Sequence, residues 1–373
     1  MKSQMTSINS DFAGDDRITW APVSRLRPRL VTLWLVLCIA AIFGMALIGA
    51  VTRLTESGLS ITEWKPITGI VYPQTPSAWE KEFYLYKATP EYKKKNMDLT
   101  LTEFKSIYFW EWIHRLWGRS IGVLFFIPFL FLWFSKSVSP GTSWALMGLL
   151  ALGGAQGFVG WFMVQSGLVD RPSVSHYRLA LHLGMALLIY ALTIWTALRV
   201  SRGEPCGDIY RKGHLVLKAH AILSLLLLST TIIWGAFVAG LDAGLIYNEF
   251  PNMGESGLIP KEMWHMSPAW INIFENHAAV QFTHRWLAIT TTIFILALSA
   301  HAMLAGIPGI VFPALAAIAL IQAGLGISTL LSNVHIHIAA THQAGALVLL
   351  AFMVIALYAV FRDSSVRGRT TRA

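Results

Sequence analysis

The sequence predicts an all-α, polytopic membrane protein of eight transmembrane helices, arranged as two tandem four-helix bundles related by a pseudo-twofold axis. Three observations carry that expectation. Of 373 residues, 55% are hydrophobic and 13% charged, with a mean hydropathy of +0.55, which is too apolar for a chain whose surface faces water. Eight uncharged runs, bounded by charge or by Gly/Pro punctuation, are each long enough to cross roughly 30 Å of hydrocarbon. The last four runs repeat, in order, motifs carried by the first four.

The runs fall near 31–52, 115–134, 143–164, 178–198, 219–241, 283–304, 309–331 and 339–361. From Trp286 to Phe361 there is no Asp, Glu, Lys or Arg, and that stretch is cut into three helices by Gly306-Ile307-Pro308-Gly309 and Ser332-Asn333. The second run is the least regular because it begins with charge. Residues 31–200 form the first half, 219–361 the second, 201–218 a linker, and 1–30 and 362–373 the tails.

Eight spans put both termini on one side. That side carries 15 Lys/Arg against 6 Asp/Glu, and the other 14 of each, so the positive-inside rule places both tails in the cytoplasm and the long 53–109 loop outside. The pI of about 9.6 then reflects topology and anionic lipid rather than nucleic acid. The first thirty residues hold Asp11, Asp15 and Asp16 and no short apolar core with a small-residue cleavage site, which argues against a secretory signal and favours a bacterial inner membrane over a mitochondrial one. Cys38 lies in an apolar run and Cys206 in a basic loop, so the two do not pair, and redox chemistry falls to a cofactor.

The repeat is specific. Ile48-Gly49-Ala50 is echoed by Trp234-Gly235-Ala236, Glu111-Trp112-Ile113-His114-Arg115 by Gln281-Phe282-Thr283-His284-Arg285, Gln156 to Gly160 by Gln322 to Gly326, and Leu181-His182 by Thr341-His342. Four spans per half is an even number, so the halves run parallel, about an axis along the membrane normal. Each half places one His at the opening of its second helix (His114, His284) and one in the first turns of its fourth (His182, His342). Side chains on facing bundle helices build cofactor sites, and a haem iron takes two axial ligands, so two matched pairs describe two bis-histidine haem sites. Arg115 and Arg285 admit two readings, partners of haem propionates or snorkelling anchors. The remaining histidines fall in or beside loops, with His220 and His301 at the cytoplasmic end.

The halves differ at one position: Glu111 precedes His114 by three residues, whereas Gln281 precedes His284. A carboxylate takes up protons and stabilises positive charge, and a carboxamide does neither, which marks the first half for chemistry. The alternative is that Glu111 complements a helix N-terminus.

Gly49 to Ser60 (Gly-Ala-Val-Thr-Arg-Leu-Thr-Glu-Ser-Gly-Leu-Ser), Glu111-Trp112-Ile113-His114-Arg115, Phe282-Thr283-His284-Arg285 and Thr341-His342-Gln343-Ala344-Gly345 together resemble the haem A synthase family, in its proteobacterial and mitochondrial group, over about residues 30–360. The resemblance implies oxidation of a ring methyl of haem O to a formyl group through two hydroxylations and loss of water. It implies that His114 and His182 flank the substrate haem, that Glu111 is the catalytic carboxylate, and that His284 and His342 bind haem b. It further implies a haem O synthase and the terminal oxidase assembly machinery as partners, with no electron-transfer partner specified. Membrane lipid is the surrounding medium, and a homo-oligomer is compatible with such a chain. Some relatives carry a cysteine pair in the first outer loop; this chain has none there. Rival readings are a non-catalytic di-haem cytochrome and a haem carrier. The outer loop reads either as a lid or as a solvated amphipathic hairpin.

Overall fold

The structure is a computed structural model that describes residues 28–65, 67–169, 173–203, 212–255 and 257–366. The expectations for the tails 1–27 and 367–373, and for 204–211 of the linker with Cys206, lie outside the described residues. In chain order the helices are α1 (Pro28–Leu54), α2 (Pro76–Lys87), α3 (Pro90–Lys95), α4 (Leu101–Ser135), α5 (Pro140–Val169), α6 (His176–Arg202), α7 (Lys212–Gly240), α8 (Asn272–Glu275), α9 (His277–Leu304), α10 (Val311–Leu331) and α11 (Ile336–Val366). There is no strand among the described residues, and α1, α4, α5, α6, α7, α9, α10 and α11 are each long and apolar enough to cross a membrane.

Local chemistry sets the ends. Proline opens α1, α2, α3 and α5, where its missing N–H costs no intrahelical bond. Within the spans, hydroxyls such as Thr193, Ser229, Thr230 and Ser299 donate to carbonyls four residues back, so no polar side chain is left facing hydrocarbon at those places. Cys38 is free and buried in the first bundle.

Packing joins α1 to α4 and α6, and α5 to α4 and α6, which closes a ring of four helices. The second ring repeats it, with α7 against α9 and α11, and α10 against α9 and α11. The rings meet through α1 with α11, α6 with α7, and α6 with α11, an arrangement compatible with the expected pseudo-twofold. A large apolar core runs through this junction, from Leu187, Tyr190 and Ile194 to Leu350, Met353 and Val354. Polar ties cross between the rings as well, among them Arg53 with Asp242 at 2.7 Å, Gln343 donating to the carbonyl of Ala46 at 3.1 Å, and Tyr177 donating to Glu275 at 2.7 Å.

One expected boundary is wrong by several turns. The helix placed at 115–134 begins at Leu101, so His114 lies well inside it, and α9 begins at His277, two turns before His284. The causes are caps that hydropathy does not register. Thr100 and Glu103 form a reciprocal capping box, and the Asn276 side chain accepts from the amides of Ala278 and Ala279. The added turns of α4 carry charge and project beyond the apolar span. They are covered by α2 and α3 around an aromatic core of Trp79, Phe83, Tyr86, Phe104 and Tyr108. The long connection between α1 and α4 is therefore a folded helical cap rather than a solvated hairpin.

Candidate functional site

The four histidines sit at the end of the bundle where α1, α5, α7 and α10 finish and α4, α6, α9 and α11 start. Each imidazole packs on a glycine of the neighbouring helix: His114 on Gly49, His182 on Gly160, His284 on Gly235 and His342 on Gly326. A Cβ at those glycines would lie 3.4, 3.0, 3.1 and 3.0 Å from the ring, tight enough at the last three to displace it. All four glycines belong to the repeated motifs, so the repeat preserves contacts as well as residue types. His182 lies close enough to His114, and His342 to His284, for a charge on one ring to be felt at the other, so the residues that the sequence paired are neighbours.

The surroundings suit an iron-ligating imidazole. His284 Nδ1 lies 3.1 Å from the carbonyl of Thr231; donation there fixes the tautomer and leaves Nε2 with its lone pair. Gln156 and Gln322 each reach a histidine's carbonyl and Nδ1, at 3.1 and 3.2 Å for His182 and at 2.9 and 3.1 Å for His342. Their Oε1 atoms are buried without a partner, so a turn of either amide offers Nδ1–H an acceptor and releases Nε2. Among the described residues no three His, Cys, Asp or Glu side chains converge as a metal-binding group. The imidazoles come in twos, as in a haem with both axial positions filled by protein.

Glu111 and Gln281, each 2% exposed, do related jobs with opposite polarity. Glu111 Oε2 accepts from Ser60 Oγ at 2.8 Å and from the Ile61 amide at 2.7 Å, while Oε1 accepts from Arg115 Nη2 at 2.7 Å and Nε at 3.1 Å. Gln281 instead donates to the carbonyls of Ala243 and Ile246 and accepts from Arg285 Nη2 at 3.0 Å. In both halves the residue three before the histidine ties down the segment leaving the first helix. The helix-terminus alternative for Glu111 is thereby removed, because Glu111 is ten residues into α4.

The arginines complete those ties. Arg115 donates to the carbonyls of Ile61 at 2.9 Å and Glu63 at 3.1 Å; Arg285 donates to those of Tyr247, Glu249 and Asn252 at 2.6, 3.0 and 3.0 Å. Arg285 Nε is buried with no partner. Neither guanidinium snorkels to solvent.

Sequence reasoning passed over two features. His220 and His301, at the other end of the second ring, approach to 3.4 Å between their Nδ1 atoms. In the cap, Glu91 is 3% exposed, accepts from Tyr86 at 3.1 Å, and is pushed up to about 7 by burial and the nearby charges of Glu111 and Glu56. The alternation of charge and aromatics in residues 79–108 was the available signal for a folded cap.

Residues 32–354 match the model of a family described as cytochrome oxidase assembly protein (COX15-CtaA). The chain is 50% identical to a protein named heme A synthase from Rhodospirillum centenum over 359 residues, covering 95% of this chain and 93% of that one. It is 46% identical to the heme A synthase of Agrobacterium fabrum over 333 residues, 87% and 89% of the two chains, and 46% identical to that of Parvibaculum lavamentivorans over 319 residues, 84% and 90%.

Proposed function

Because the chain belongs to the COX15-CtaA family of cytochrome oxidase assembly proteins, we propose that it is a haem A synthase, a multi-pass membrane enzyme that acts on haem O and oxidises one ring methyl to a formyl group. The observation that supports this most is the doubled His–Gly pairing combined with an acid in one half alone. A pair of equivalent electron-carrying sites has no need of Glu111 opposite Gln281, so the di-haem cytochrome reading is not favoured.

In this reading His114 and His182 hold the substrate haem in the first half, and His284 and His342 hold haem b in the second. Bound haem supplies the redox chemistry, while the protein binds, orients and manages charge. Gly49, Gly160, Gly235 and Gly326, having no side chains, let each imidazole lie against the neighbouring helix and so fix its place. The Thr231 carbonyl, Gln156 and Gln322 set ring orientation through Nδ1. Arg285 Nε is the donor left for a propionate in the second half.

Glu111 is held by four donors, which fills its acceptor capacity, and protonating it forfeits at least one of those bonds. That favours a fixed charge which stabilises positive charge developing at the reacting methyl over a mobile proton acceptor. Both tails face the cytoplasm, which sets the histidine end and the α2–α3 cap on the outer side of a bacterial inner membrane. Haem O arrives from its synthase, and haem A leaves to terminal oxidase assembly, within the bilayer. Purified protein supplied with haem O tests the assignment: appearance of haem A by extraction and chromatography supports it, and recovery of unchanged haem O with haem b in both sites restores the cytochrome reading.

A further inference from the structure

The segment that carries Trp64, Ile67, Ile70 and Val71 lies at the depth where the hydrocarbon of a bilayer begins. About twenty helical residues cross roughly 30 Å of hydrocarbon. Counted from Arg29 at the start of α1 they end near Gly49, and counted back from Lys136, which caps α4, they end near Leu116. The two counts agree within a turn, because His114 packs on Gly49. Relative to Leu116, Trp112 stands about 6 Å outside that level and Arg119 about 5 Å inside it. Both reach the segment: Trp112 Nε1 donates to the Ile70 carbonyl at 3.1 Å, and Arg119 Nη2 to the Lys65 carbonyl at 3.0 Å. Gly69 allows this approach, since a Cβ there would lie 3.1 Å from Arg119 Nη2.

The segment is laid on the outward side of α4. Trp112 and Arg119 share a helix face with Val123, Phe126 and Ile127, which are exposed and continue that face down the span. The segment's own surface extends the same apolar stripe: Trp64, Ile67, Ile70 and Val71 are exposed, Ile67 by 79% and Val71 by 70%. Its backbone is partnered, as non-helical chain at a bilayer requires. Besides the two bonds from α4, the amides of Gly69, Ile70 and Val71 donate to the carbonyls of Lys65, Ile67 and Thr68 at 3.1, 3.4 and 3.2 Å. The repeat offers no equivalent. With His114 aligned on His284, Trp112 and Arg119 align on Phe282 and Ile289, and neither of those side chains has a donor.

We propose that Trp64, Ile67, Ile70 and Val71 form a lipid-binding lip, sunk into the boundary between headgroups and acyl chains of the leaflet on the histidine side and held there by Trp112 and Arg119. The aliphatic side chains meet acyl chains, and the Trp64 indole suits the headgroup level. Lys65 lies between Glu63 and Glu82, which keeps its ammonium at the polar edge while its stem follows the apolar surface. Lipid rather than a protein is the partner because the lip continues the exposed apolar face of a membrane-spanning helix at the level where the hydrocarbon starts.

The test uses full-length protein in phosphatidylcholine–phosphatidylglycerol vesicles, with Cys206→Ser and the buried Cys38 left in place. A nitroxide is attached at Ile67→Cys or Val71→Cys, with Tyr84→Cys on the exposed side of α2 and Val123→Cys on α4 as references for water and lipid. Power-saturation electron paramagnetic resonance then compares relaxation by oxygen, which concentrates in hydrocarbon, with relaxation by a water-soluble nickel chelate. At Ile67 and Val71 the nickel effect seen at Tyr84 is expected to be lost while the oxygen effect persists, as at Val123. Nickel relaxation equal to that at Tyr84 places both residues in water and overturns the proposal. Shielding from both reagents assigns the surface to a second copy of the chain or another protein, and also refutes it. Trp112→Phe with Arg119→Ile copies the second half and removes both donors, so nickel relaxation at Ile67 is expected to return. Unchanged shielding in that variant overturns the hold assigned to Trp112 and Arg119.

Discussion

Replacing Glu111 with glutamine changes no volume but reverses half of a four-donor arrangement. The remaining Oε1 can satisfy two of the donors among Ser60 Oγ, the Ile61 amide and Arg115 Nε and Nη2, while the new NH2 confronts the others and the Arg115 charge loses its counter-ion. Removing one partner of a buried ion pair costs about 3–5 kcal/mol, and the two bonds retained put this case near the lower figure, about 3 kcal/mol. At 1.4 kcal/mol per factor of ten, opening of the segment at Ile61 becomes about 100-fold more frequent. Amide exchange measured by mass spectrometry on peptides spanning Ser57 to Glu63 reads this directly. The same variant is expected to retain haem, because no histidine contact is touched, and to lose methyl oxidation. Unchanged exchange at Ile61 would refute the reasoning about the tie, and full haem A yield would remove Glu111 from the chemistry. The reciprocal Gln281→Glu sets a carboxylate against the carbonyls of Ala243 and Ile246 and should loosen the second half by a similar amount.

Other outcomes follow from the same contacts. Gly160→Ala and Gly326→Ala bring a methyl to 3.0 Å from His182 and His342 respectively, and each should abolish the bis-histidine electron paramagnetic resonance signal of its own half while sparing the other. Glu91, raised from an ordinary 4.5 to about 7, favours the folded cap fully below pH 4.5, and that contribution is lost as pH rises through 7. The loss amounts to about 3 kcal/mol at most, so proteolysis within residues 76–95 should quicken between pH 5 and 8, and Glu91→Gln should flatten the dependence. Thr100→Ala breaks the capping box and should cost about 1 kcal/mol, seen as faster exchange in the first turn of α4.

Hydropathy alone located the eight spans, because a helix in hydrocarbon must be apolar over its whole length and charge ends it visibly. It misplaced the start of α4 because Glu103, Lys105 and Glu111 look like the end of a span when they are the part of one helix that stands clear of it. The repeat picked out which histidines to pair, since spacing along a helix is written in the chain. It could not reveal that Gly49, Gly160, Gly235 and Gly326 are the surfaces those rings rest on, because that contact joins helices far apart in sequence. The Glu111/Gln281 difference was legible as a change of charge. Its second meaning, a switch from accepting the loop's N–H and O–H groups to donating to its carbonyls, depends on a backbone segment whose path no local pattern specifies.

The most direct test counts and identifies haem in purified wild type, His114→Ala and His284→Ala, by pyridine haemochrome and chromatography of the extracted pigment. Two porphyrins per chain are expected at saturation, with haem O or haem A lost on substituting His114 and haem b lost on substituting His284. A single haem per chain, or the same pigment lost from both variants, would contradict an enzyme built from one reactive and one inert haem site.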